Sequence, residues 1–239
     1  MPWQTSEYYE TQAATLRPEA FERLHLNNWT SSVGSFIPIE WWYANRNSTI
    51  RPPKQYTTNL APGQVDNYPI VLGVDAAVSS DCCAVSAVSR NPNNPNDPWV
   101  RFYNIWIPPK GGTMDLGLVE QYLKEICAKY NVVQIAYDAY QLHKLMTDLS
   151  QQGVAWCKSF SQGADRAIAD KQLYDLIRDR RCPHDVGRDF DDQLRNAAAK
   201  ATTDTDTKLR LVKKSQESKI DVIVATSMAV AECLRLNLE

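Results

Sequence analysis

Apolar and polar positions set a clear rhythm from about residue 70 onward. Ile70 to Val78 is a nearly continuous apolar run and reads as a strand buried on both faces. Cys82 to Ser89, rich in small and β-branched residues, predicts a second strand. The turn-rich stretch NPNNPNDP (91 to 98) links it to a third, WVRFYNIWI (99 to 107). Leu116, Val119, Tyr122, Leu123, Ile126 and Tyr130 then recur at helical spacing. Strand VVQIAY (132 to 137), a helix from Tyr140 to Gln152 and a short strand in VAWCKSF follow. Helices are expected around 165 to 180 and 190 to 200, then a polar stretch containing LRLV, then a last helix over 219 to 236. On that helix Ile220, Ile223, Val224, Ser227, Met228, Ala231 and Leu234 form the apolar stripe.

Residues 1 to 66 differ. They combine aromatics (Tyr8, Tyr9, Phe21, Trp29, Phe36, Trp41, Trp42, Tyr43) with polar residues and show little periodicity. RPEAFERLHL (17 to 26) predicts a short helix with Pro18 near its start, and RPPKQYTTNLAPGQ reads as an extended connector. The expected organisation is therefore an arm over 1–66 and one α/β domain over 67–239. Three strands joined by turns favour an antiparallel meander, and the later strands, separated by helices, favour parallel crossovers. The result is a mixed sheet with helices on both faces, the element order of the ribonuclease H-like fold.

Composition narrows the chemistry. With 239 residues, 44% of them hydrophobic, the chain can bury one good core. The net charge of −2 supplies no global basic field, so any nucleic-acid binding must rest on local patches. The six cysteines form no CxxC pair, and the only nearby Cys/His combination is Cys182-Pro183-His184, which argues against zinc. Neither a signal peptide nor a long apolar segment is present, so reduced thiols in the cytoplasm and no membrane span are expected.

Three carboxylates stand at the ends of the expected elements. Asp75 closes the first strand, Asp138 closes the fourth, and Asp221 opens the last helix. If the first and fourth strands are neighbours, Asp75 and Asp138 lie side by side, and a helix packed across the sheet brings Asp221 to them. Such a cluster resists ionisation without a cation, and hard divalent ions such as Mg²⁺ or Mn²⁺ suit oxygen ligands. Two ions about 4 Å apart can drive phosphodiester hydrolysis. Each acid also has a plainer reading. Asp138 precedes a helix it can cap, and Ser218-Lys219-Ile220-Asp221 fits a capping box. No helix signal follows Asp75, so capping does not explain it, and its plainer reading is a hydrogen bond in a loop. Asp81 reads as a turn residue between strands.

At these residues the chain resembles a known family. GVDAAVSSDCCAVSAV, IAYDAYQLHKLMTDLSQQG and KSQESKIDVIVATSMAVAECL are similar, in order, to the three acidic motifs of the nuclease domain in the large terminase subunit of tailed bacteriophages. LRPEAFERLHLNNWTSSVGSFIPIEWW (16 to 42) resembles that family's segment between ATPase and nuclease modules. The resemblance implies a metal-dependent endonuclease that cuts double-stranded DNA during viral genome packaging in the host cytoplasm, without strong sequence specificity. It implies Asp75, Asp138 and Asp221 as catalytic metal ligands, Asp75 bridging two Mg²⁺ or Mn²⁺ ions, with Asp81 auxiliary. The implied partners are an ATPase module, a small terminase subunit and a portal. One departure stands out: the P-loop pattern GxxxxGK[ST] is absent, so ATP-driven translocation is not assigned to this chain, which is expected to be an excised or separately encoded nuclease.

Lys208, Arg210, Lys213, Lys214 and Lys219 precede Asp221 and are candidate phosphate contacts, Lys219 foremost. A second basic cluster, Arg178, Arg180 and Arg181, reads better as a solvated face. The competing functions are a non-catalytic packaging module docking to a portal or ATPase, and another ribonuclease H-like nuclease such as a junction resolvase.

Overall fold

The computed structural model describes residues 5–16, 18–27, 34–76, 82–109, 111–201 and 208–238. Two short helices, α1 (Ser6–Thr15) and α2 (Pro18–His25), come first, followed by a two-residue strand β1 (Gly34–Ser35) and helix α3 (Ile39–Ala44). The main sheet is built from β2 (Asp66–Ala76), β3 (Cys83–Asn91), β4 (Asn94–Trp106), β5 (Tyr130–Tyr137) and β6 (Cys157–Ser159), in the order β4-β3-β2-β5-β6. β2–β3 and β3–β4 pair antiparallel, whereas β2–β5 and β5–β6 pair parallel. Helices α4 (Leu116–Lys129) and α5 (Ala139–Gln151) supply the crossovers that parallel pairing requires. The expected mixed sheet of the ribonuclease H-like fold is thus present.

Alternation along β2 divides the core. Val71 faces a cluster formed with α6 (Ala164–Arg178), α7 (Arg188–Asn196) and α8 (Asp221–Leu236), while Ile70, Leu72 and Val74 face α4 and α5. Helix α8 is buried from Asp221 through Val230, as befits a helix apolar on most of its circumference. Gly73 lets it approach, since a Cβ there would lie 1.9 Å from the carbonyl oxygen of Ala225.

Several boundaries differ from expectation. NPNNPNDP is not a long link: Asn91 pairs with Asn94 across a tight turn, and Pro95 and Pro98 lie inside β4. Strand β4 is the sheet's edge, where a residue without an N–H interrupts no second ladder. The helix expected to reach 200 stops at Asn196. Residues 197–201 form β7 (Ala197–Ala201), which pairs with β8 (Leu209–Lys213) and β1. Alanine favours helix in isolation, but these two ladders override that weak local preference.

Part of the expected arm is built into the body. Phe36 and Trp42 are each only 1% exposed and belong to the same core as α6 and α8. Trp42 stacks between His184 and Phe190 at centroid distances of 3.7 and 5.2 Å, and its indole N–H donates to Asp191. His184 Nε2 donates to the Trp42 carbonyl, and burial pushes the imidazole pKa down to about 4. The basic cluster near residue 180 is largely ion-paired within the fold. Arg178 meets Asp175 and Asp179, and Arg181 meets Asp97. No helix among the described residues is long and apolar enough to cross a membrane.

Candidate active site

The central strand β2 ends beside β5. Val74 pairs with Tyr137, and the Asp138 amide donates to the Val74 carbonyl, so Asp75 and Asp138 leave adjacent strand ends. Helix α8 crosses the same sheet over Gly73 and starts at Asp221. All three acids line one cleft of about 450 Å³, together with Arg210 and Lys213 of β8, Arg166 of α6, and Gln162. Asp75 and Asp138 are half-buried and Asp221 is 5% exposed. Among the described residues, no group of three or more Asp, Glu, His or Cys side chains is arranged to hold an ion as it stands. The acids share the cleft without forming a ready-made ligand cluster among the described residues.

Each acid is held differently. Asp138 caps α5, its Oδ1 accepting from the Tyr140 amide at 3.0 Å, so the capping reading is correct for it. That bond engages Oδ1, and Asp138 also lines the cleft. Asp138→Asn keeps an equally good cap and should leave the melting temperature unchanged while removing the charge. Asp138→Ala should in addition lose about 1 kcal/mol of stability. A thermal melt of both variants beside a DNA-cleavage assay separates the two roles.

The capping box expected at Ser218 does not form. The N-cap of α8 is Ile220 with no side-chain cap, and Ser218 Oγ instead accepts from the Ser215 amide. The α8 amide of Val222 donates to Gln193 Oε1 of α7 at 2.9 Å, so a residue distant in sequence does the capping. Asp221 Oδ2 accepts from the Cys82 thiol at 2.7 Å. The neighbouring Cys83 thiol is pushed well above its ordinary pKa, first by burial and then by the carboxylates of Asp75 and Asp221. The donors facing the cleft are carboxylate oxygens, a set that fits a hard divalent cation such as Mg²⁺ or Mn²⁺.

The basic candidates divide. Arg210 and Lys213 line the cleft with the acids. Burial and the neighbouring Arg166 guanidinium hold the Arg210 pKa below its ordinary value, while Asp170, Asp138 and Asp75 act in the opposite sense. Lys214 turns elsewhere, donating to Ser35 Oγ of β1, and Lys208 and Lys219 do not line the cleft. Asp81 lies outside the described residues. Arg166 and Gln162, absent from the candidates drawn from sequence, form part of the cleft wall.

Known proteins share this architecture. A family model described as the terminase large subunit, endonuclease domain, matches residues 108–236. A search of curated proteins found no match. Among solved structures, the HK97 bacteriophage large terminase superposes with a TM-score of 0.66 at 20% identity, covering 96% of this chain and 51% of that one. The large terminase of a second, thermophilic bacteriophage gives 0.61 at 9% identity, covering 98% and 52%. The large terminase nuclease from thermophilic phage G20c, solved with bound magnesium, gives 0.52 at 12% identity, covering 71% and 86%. The chain thus spans about half the length of the two large terminases and most of the length of the nuclease.

Proposed function

Because the chain belongs to the family of terminase large-subunit endonuclease domains, we propose that it is a divalent-metal-dependent endonuclease that hydrolyses double-stranded DNA in viral genome packaging. The observation that carries this reading is that Asp75, Asp138 and Asp221, from three separate elements, line one cleft that also holds basic side chains. A relative of the same fold has been solved with magnesium bound, which agrees with an oxygen-only donor set here.

Within this reading Asp75, at the end of the central strand, Asp138 and Asp221 would together hold the Mg²⁺ or Mn²⁺ ions. When bound, such ions supply Lewis-acid polarisation of the phosphodiester and make water a better nucleophile near neutral pH. The chain's own residues orient the substrate. Arg210 and Lys213, on the β8 wall, face the phosphates of the strand to be cut, and Lys208, Lys214 and Lys219 lie farther along that segment. Contacts to phosphates carry no base information, so cutting without sequence preference is expected. DNA, an ATPase module, a small subunit and a portal are the partners this role requires.

The test is incubation of supercoiled plasmid with the purified protein. Nicked and linear products are expected with Mg²⁺ or Mn²⁺, at scattered positions, and none with excess chelator. Cleavage that persists in chelator overturns the metal-dependent reading. A folded protein that never cuts favours a docking module, with the acids reduced to structural roles.

A further inference from the structure

Behind the cleft lies an ion pair that the proposed chemistry leaves unused. Arg166 Nε and Asp170 Oδ1, one helical turn apart on α6, are 2.7 Å apart, with side chains only 3% and 0% exposed. Such a pair is a weak source of stability, because removing two charges from water costs about as much as their attraction returns. What distinguishes this pair is where its remaining hydrogen bonds go.

Asp170 is bonded to two other elements that build the cleft. Its Oδ1 also accepts from Ser227 Oγ at 2.6 Å, on α8, which begins at Asp221. Its Oδ2 accepts from the Leu211 amide at 2.9 Å, on β8, immediately after Arg210. Arg166 makes the second connection. Its Nη1 donates to Gln162 Oε1 at 3.0 Å, and the backbone carbonyl of Gln162 accepts from Arg210 Nη1 at 2.9 Å. Arg210 is thus restrained twice, through the backbone of its neighbour and through its own guanidinium. Both restraints lead back to one buried pair.

We infer that the Arg166–Asp170 pair is a positioning unit for DNA: it registers β8 against α6 and α8 so that the Arg210 guanidinium meets a phosphate of the strand lying over Asp75 and Asp138. The inference rests on the nuclease reading for the identity of the ligand, a nucleic-acid backbone. A preorganised guanidinium loses less freedom on binding a phosphate than one on a loose strand, so the gain falls on substrate binding.

The test is a cycle of four proteins: the parent, Arg210→Ala, the apolar replacement Arg166→Met with Asp170→Leu, and the combination. Two readouts are taken below the melting temperature of each. One is the slope of duplex affinity against salt for a short blunt DNA in Ca²⁺, and the other is the division between KM and kcat for cleavage in Mg²⁺. In the parent, Arg210→Ala should lower the salt slope by about one, the loss of one phosphate contact. In the apolar background the slope should already be lowered, KM raised more than kcat is lowered, and Arg210→Ala should add nothing. An equal effect of Arg210→Ala in both backgrounds, or none in the parent, overturns the proposal. If the double replacement does not fold, Arg166→Lys keeps a charge beside Asp170 but loses the fork that reaches Gln162. It should then raise KM and reduce the Arg210→Ala effect, and an undiminished effect is equally fatal. Binding in Ca²⁺ is read without cleavage. Duplex binding with the expected slopes but no cutting overturns the nuclease reading alone.

Discussion

Asp75→Asn is expected to lower DNA cleavage in Mg²⁺ by about a thousandfold or more, equivalent to roughly 4 kcal/mol of transition-state stabilisation, with the fold intact. Asparagine matches aspartate in shape, so the strand should not notice the change: the Asp75 backbone pairs with Ala84, and that ladder does not involve the side chain. What disappears is a negative charge at the end of the central strand, in a cleft with two further acids. Of the three, Asp75 is the one set within a strand and not at a helix start, so its loss should appear in activity and not in the melting curve. A plasmid-cleavage time course with a circular-dichroism melt of the same sample is sufficient. A variant cutting at a tenth of the parental rate or faster would remove Asp75 from the chemistry.

Gly73→Ala should have the opposite signature, a loss of stability first and of activity as a consequence. The added Cβ would fall 1.9 Å from the Ala225 carbonyl oxygen, 2.8 Å from its carbon and 3.1 Å from the Ala229 nitrogen. All three are backbone atoms of α8, so no side chain can rotate away and the helix itself must move. Overpacking of a core costs about 1–3 kcal/mol, and contact with an immovable helix backbone belongs at the top of that range. For a chain of this size that corresponds to a melting temperature lower by about 6–12 °C. Because α8 carries Asp221 at its start, displacing it also pulls one acid from the cleft. Calorimetry decides the matter: a melting temperature within a degree or two of the parent would show that β2 and α8 separate easily.

How much of this was legible beforehand depended on whether the signal was local. The strand runs ending at Asp75 and Asp138, and the helix beginning at Asp221, were readable because continuous apolar runs and a helical stripe are local patterns. The adjacency of β2 and β5 was a condition of that reading and not a consequence of local pattern, and the observed strand order meets it. β7 was not readable. Ala197–Ala201 has the composition of a helix and becomes a strand only because β8 and β1 offer it partners. The cap on α8 was misread for a related reason, since Ser218 fits the local pattern whereas Gln193 arrives from another helix. Arg166 and Asp170 were invisible as site residues. At a spacing of four on a helix they look like any solvated surface pair, and only tertiary packing shows them buried.

The seating of Phe36 and Trp42 in the main core has a mechanical consequence. A segment clamped by a three-ring stack and a strand pairing cannot act as a loose tether. Its connection to the body behaves as a fixed bracket from residue 34 onward, although composition alone suggests an arm as far as residue 66. A push or twist applied upstream would therefore reach the cleft as a whole-body rotation. Nothing between residue 34 and the α3 end at Ala44 would absorb it as slack, and shortening the chain into that bracket would remove core and not linker.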